Sequence, residues 1–169
     1  MDVTALAEHL LDTDAGAPGP RLQVLHAVDA VARVALTLPD NPADPAGCLR
    51  TGALVSLLHG AGMAAILAAG TSGGHAARMM PVGTSVTVDF RALAEGRLVG
   101  ECCLDDDDRV ALRSLLSGEI ERVRLRTLTE VVDSTGLVAG SGTFRWSVRA
   151  RPEEGATGRP SASAGLHLA

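Results

Sequence analysis

Asp44-Pro45-Ala46-Gly47-Cys48-Leu49-Arg50-Thr51-Gly52 is a loop that runs directly into Ala53-Leu54-Val55-Ser56-Leu57-Leu58-His59-Gly60-Ala61-Gly62-Met63-Ala64-Ala65-Ile66-Leu67-Ala68-Ala69. The second part carries one ionisable side chain, His59. A helix without a polar face must be buried on nearly all sides. The spacing predicts that helix over 52–69, ended by the glycines between Gly70 and Gly74. The strands that follow, from Thr84 onward, supply a sheet able to wrap it. The expected fold class is therefore α+β, a curved antiparallel sheet around one long buried helix.

Working outward, the pattern turns to period two. Val86, Val88, Phe90 and Ala92 alternate with Thr87, Asp89 and Arg91, which reads as a half-buried strand. Glu95-Gly96 is expected as a turn, with Arg97 to Leu104 as the partner strand. Arg122 to Val132 and Leu137 to Arg149 form a second expected pair, joined by Asp133-Ser134-Thr135-Gly136, with Phe144, Trp146 and Val148 facing the core. Between the pairs, an acidic start followed by Val110, Leu112, Leu115 and Leu116 predicts a short helix within the insertion 105–121, since carboxylates suit a helix N-terminus. On the N-terminal side, Val31 to Leu38 reads as a strand and Val3 to Leu11 as a short amphipathic helix. A single domain over 1–150 is expected, with 151–169 as a disordered tail rich in Pro, Gly, Ala and Ser.

Composition narrows the function classes. The chain has 169 residues, 46% of them hydrophobic, enough for a core that buries roughly 70% of the unfolded surface. No metal, cofactor or disulfide is needed to fold it. Cys48, Cys102 and Cys103 read as free thiols in a reducing compartment, so the cytoplasm is the expected location. The N-terminus shows no basic stretch followed by an apolar core, hence no signal peptide is expected. Ala53 to Ala69 falls short of the about 20 residues needed to cross a bilayer, so no membrane role is expected. A formal charge of -5, with one Trp, two Phe and no Tyr, argues against nucleic-acid binding.

The order strand, proline loop, buried helix and four antiparallel strands resembles the hot-dog fold, in particular the phenylacetate-type (PaaI-like) acyl-CoA thioesterases. In that family the loop reads approximately Asn-Pro-x-Gly-x-x-His-Gly-Gly-Ala-Leu. Here Asp44 to Leu54 keeps the Pro, two structural Gly positions and Ala-Leu. Ser85 to Arg91, Gly96 to Val99 and Gly140 to Phe144 look like the family's strands in the expected order. The resemblance covers about Val31 to Val148. It implies an acyl-CoA or acyl-carrier thioester of small or medium acyl group as ligand, and a homodimer or homotetramer as the assembly. Carried over by position, the family's Asn falls on Asp44, its His on Arg50, its first Gly on Thr51 and its helix carboxylate on His59. The usual catalytic residues are thus substituted, which leaves a noncatalytic acyl-CoA or fatty-acyl binding module as the alternative to a thioesterase.

The residues themselves offer candidate roles. A backbone amide at Gly52, at the positive end of the helix, is a sound oxyanion donor. His59 could replace the carboxylate as general base, line the acyl pocket, or serve as a core or interface histidine. Arg50 could pair with a ligand anion or with Asp44. Ser56 lies one turn before His59, and Asp44, Arg50, Thr51, Ser56 and Met63 are the candidate substrate contacts. Gly60 and Gly62 each cost the helix about 1 kcal/mol relative to Ala, so either close packing on the sheet or a narrow ligand should compensate. Arg122, Arg124, Arg126 and Arg145 could meet the phosphates of CoA, or form a solvated face balanced by Glu121 and Glu130. Asp105 to Asp108 read as a helix start and not as a metal site.

Overall fold

The computed structural model describes residues 22–38, 48–70, 76–92 and 96–151, with backbone alone for 48–50. The expected helix 3–11, the loop residue Asp44 and most of the expected tail lie outside them. Strands β1 (Leu22–Val28) and β2 (Val31–Thr37) precede the long helix α1 (Cys48–Ala69). A 3-10 turn (Ala76–Arg78), β3 (Met79–Phe90), β4 (Arg97–Cys103), helix α2 (Asp106–Ser117), β5 (Arg122–Val132) and β6 (Val138–Ala150) follow.

The strands form a six-stranded sheet in the order β1-β2-β4-β5-β6-β3, with every pairing antiparallel. The expected β5–β6 hairpin is present. Its turn is held by Asp133, whose Oδ1 accepts from the Thr135 and Leu137 amides at 2.8 and 3.0 Å and from the Thr135 hydroxyl at 2.6 Å.

One sequence expectation gains an addition and one needs correction. First, the expected strand from Val31 is present as β2, and an unforeseen strand, β1, precedes it in a hairpin. Its turn residues Asp29 and Ala30 both have positive φ, 50° and 65°, which matches the twist of a two-residue hairpin. The glycine that normally advertises such a turn is missing. Second, β4 is not the partner of β3. β4 lies between β2 and β5, while β3 pairs with β6 at the edge of the sheet. Alternation fixes which face a side chain takes, but says nothing about which strand lies next to it.

Helix α1 lies across one face of this sheet and touches all six strands. Leu57, Leu58, Ile66 and Leu67 are fully buried there. The strand under Leu58 has no room for a side chain: a Cβ on Gly142 would lie 2.5 Å from Leu58 Cδ1. By length and composition Thr51–Ala69 would suffice to cross a membrane; here the sheet takes up its apolar surface.

Helix α2 follows from local signals. Asp105 caps its start by accepting from the Asp108 amide at 2.8 Å, and Gly118, at φ 83°, closes its end in the left-handed conformation. Its Leu112 and Leu115 join the core, and the helix packs against β5, whose pairing with β4 ends at Cys102↔Thr129.

Candidate functional site

One stripe of α1 escapes full burial. Thr51 and Gly52 are exposed, and Val55, Ser56, His59 and Met63 are half-buried, while the other residues from 51 to 68 are buried. The spacing from 52 through 55, 56, 59 and 63 keeps these residues on one side of the helix. That side looks toward β6 and the edge strand β3.

His59 is held there by aromatic rings. Its ring centroid lies 5.0 Å from that of Trp146 and 5.4 Å from that of Phe144, the latter edge-on at 66°. On β3, Gly83 lies alongside the imidazole: a Cβ built there would stand 3.6 Å from His59 Cδ2, an ordinary contact distance. Burial pushes the His59 pKa below its ordinary 6.5, and neutral imidazole with a free lone pair is therefore its form at pH 7.

Gly62 explains how closely this helix approaches. A Cβ there would lie 2.6 Å from Thr127 Oγ1 and 3.0 Å from Trp146 Cζ2. The Trp146 indole N–H donates to that same hydroxyl at 2.8 Å. For Gly62, helix-on-sheet packing accounts for the glycine without a ligand.

Beside His59 the inner face of β3 continues as an apolar strip. Val86 stands opposite Phe144, and Val88 and Phe90 opposite Gly142 and Gly140, so all three share the helix-bearing face. Val86 and Phe90 are nevertheless exposed. The sequence reading of this strand as half-buried fits its alternation, but within this chain the apolar side is left uncovered.

The structure does not join all the candidates into one place. α1 begins at Cys48, four residues before the expected start, so Gly52 is its fifth residue. The open amides of a helix end belong to its first turn, here residues 48–50, and the Gly52 amide falls within the ladder. Space beside Gly52 is open, with nothing within 4 Å of a Cβ built there. Asp44 and the Arg50 side chain lie outside the described residues. Ser56 and Met63 flank His59 along the stripe.

The arginines lie elsewhere. Val123, Leu125 and Thr127 of β5 point inward and are buried, while Arg122, Arg124 and Arg126 alternate with them on the exposed face. Arg145 of β6 is on that outer face too, directly opposite Arg126. The thickness of the sheet separates these four from His59. Arg124, Arg126 and Arg145 share an outer cavity with the first residues of α2, a neighbourhood the linear sequence did not reveal.

No protein-family profile and no curated protein matches the chain, but many solved structures do. A Pseudomonas aeruginosa protein of unknown function, described as a "probable thioesterase", superposes with a TM-score of 0.64 at 24% identity, covering 88% of this chain and 96% of that one. A hypothetical thioesterase from Streptococcus pneumoniae, solved with coenzyme A, gives 0.56 at 10% identity over 78% and 88%. A Staphylococcus aureus thioesterase gives 0.57 at 13% identity over 83% and 98%. At such identities the shared property is the architecture. Taken with the six-stranded antiparallel sheet and its buried helix, these likenesses make the chain a hot-dog fold, the fold of structures described as thioesterases.

Proposed function

We propose that this protein acts on an acyl thioester of small or medium acyl group, seated along the half-open stripe of α1 beside the apolar strip of β3. The observation that carries the reading is His59, the lone ionisable side chain in 53–69, held half-buried and with its pKa lowered on the open side of the helix. The thioesterase neighbours, one solved with coenzyme A, support the substrate class.

In this reading the His59 imidazole takes a proton from water. The hydroxide oxygen bonds to the thioester carbonyl carbon, and the carbonyl electron pair moves to its oxygen. Amides of the first turn of α1 meet that oxyanion, beside the open surface at Gly52. Collapse breaks the C–S bond, and the departing thiolate takes the proton from the imidazolium. Ser56 and Met63 line the acyl path, and Thr51 flanks its mouth.

One observation favours a second reading, a noncatalytic acyl-CoA binding module. The described neighbours that touch His59 are two aromatic rings with no carboxylate to orient it. Release of free thiol from short, medium, aromatic and long acyl-CoA at pH 5 to 9, wild type beside His59→Ala, separates the two. Hydrolysis by His59 gives a rate that climbs below pH 6.5, levels above it and vanishes in the variant. No turnover, with acyl-CoA still raising the melting temperature, selects the binding module; neither effect rejects both.

The edge strand supports a homodimer. β3 offers unpaired backbone and exposed Val82, Val86 and Phe90, a surface suited to pairing with a second copy. Light scattering should give twice the chain mass or a multiple of it; a stable monomer contradicts this assembly.

A further inference from the structure

Five arginines stand on one face of two neighbouring strands. Arg122, Arg124 and Arg126 alternate along the outer side of β5, with Arg145 and Arg149 on β6. The register sets Arg122 directly opposite Arg149 and Arg126 directly opposite Arg145, and like charges so placed destabilise a sheet. Among the described residues none of the five forms an ion pair. Glu130, the one acid of β5, stands opposite Ser141 and Glu101 instead, so it does not balance them.

Arg124, Arg126 and Arg145 line a cavity of about 880 Å³ together with Asp105, Asp107 and Asp108 from the start of α2. The volume lies within the roughly 300–1,000 Å³ of small-molecule sites. A simple anion would meet the arginines but be opposed by the carboxylates; a simple cation would meet the reverse. The cavity suits a ligand with both characters. Guanidinium forks match phosphate oxygens, and carboxylates accept from amino or hydroxyl groups.

We infer that this outer cavity is a second binding site, for a phosphorylated ligand that also carries hydrogen-bond donors, the chemistry of a nucleotide. It does not rest on the thioester reading, because these arginines point away from α1 and His59. The same chemistry occurs in a free nucleotide and in the nucleotide end of a coenzyme A carrier.

Calorimetric titration of the full chain at low salt with ADP, pyrophosphate and coenzyme A tests this. ADP should bind more tightly than pyrophosphate, and Arg126→Thr/Arg145→Thr should weaken ADP by about tenfold or more, as loss of charge-assisted bonds implies. Asp107→Asn should weaken ADP while leaving pyrophosphate unweakened. His59→Ala should bind ADP like wild type. If coenzyme A weakens in step with ADP in the double variant, the carrier is the source; if coenzyme A is unaffected while ADP is lost, a free nucleotide is. Absence of ADP binding at millimolar concentration, binding unchanged in a double variant that melts like wild type, or loss of ADP in His59→Ala would each overturn the inference.

Discussion

The two faces of the β5–β6 hairpin are made by alternate residues of the same strands and follow different rules. Inward, Val123, Leu125, Thr127, Phe144, Trp146 and Val148 are buried, and the Trp146 indole finds its partner in Thr127. Outward, Arg122 stands opposite Arg149 and Arg126 opposite Arg145, with Arg124 opposite Ser147 between them. Volume and satisfied hydrogen bonds decide the inner face. No packing requirement explains the outer one, so changes there should move binding far more than stability. Cys102 and Cys103 repeat the division on β4: consecutive residues, one buried thiol and one exposed. Their opposite directions also leave no strained vicinal bridge to consider.

The sharpest break on the inner side is Gly62→Val. Intrinsic helix propensity favours any ordinary side chain over glycine by some tenths of a kcal/mol or more. Contact with Thr127 and Trp146 opposes it, since the first carbon alone would stand 2.6 Å from Thr127 Oγ1. Turning Thr127 aside would break the 2.8 Å bond from Trp146. A loss of about 3 kcal/mol in urea denaturation is expected. A neutral or stabilising result would mean that α1 does not lie against β5 and β6 as described.

That contact also marks what a linear reading can reach. α1 was legible because a long run without charge has to be buried, and α2 because Asp105, the following acids and Gly118 are local signals. The β5–β6 hairpin was legible through its alternation and the Asp133–Gly136 turn. Neighbour relations were not. The β1–β2 turn hides because Ala30 takes a left-handed conformation without glycine, and β3 gives no local sign that its partner is β6. The candidate site divides the same way. His59 stood out as the ionisable group of an apolar helix, yet its seat between Trp146, Phe144 and Gly83 depends on residues more than 80 positions apart or across the sheet. The arginines could be named individually, whereas their opposition in pairs and their side of the sheet follow from register.

A second, smaller effect distinguishes the two cysteines. Burial pushes the Cys102 thiol from 9.0 up to about 11. Above pH 9 the unfolded chain gives up this proton while the folded chain keeps it, so stability falls as pH rises toward 11. Each pH unit between those two values costs about 1.36 kcal/mol, so the loss is about 2 kcal/mol by pH 10.5. Urea midpoints of wild type and Cys102→Ala at pH 8 and 10.5 should differ in that sense, with the variant spared this part of the alkaline loss. Equal losses would show that the inner thiol does not titrate apart from solvent-facing groups.

The smallest effect has the opposite sign and lies on the outer face. Arg145→Thr removes one member of the Arg126–Arg145 opposition, introduces a residue that favours strands, and disturbs no inward contact. Arg126 would be the poorer choice, because its charge works against the burial and the neighbouring carboxylates that push the Asp108 carboxyl up. Relief of repulsion between directly opposed like charges is worth a few tenths of a kcal/mol. The melting temperature should therefore rise slightly at low salt. At about 0.5 M salt, where exposed charges are screened over a few ångströms, the gain should shrink. A gain independent of salt would trace to strand propensity alone, and a loss would mean that Arg145 contributes to the fold after all. Stabilisation that disappears in salt, together with weakened ADP binding, would identify the outer face as one where stability is given up for recognition, while the inner face of the same two strands is fixed by packing.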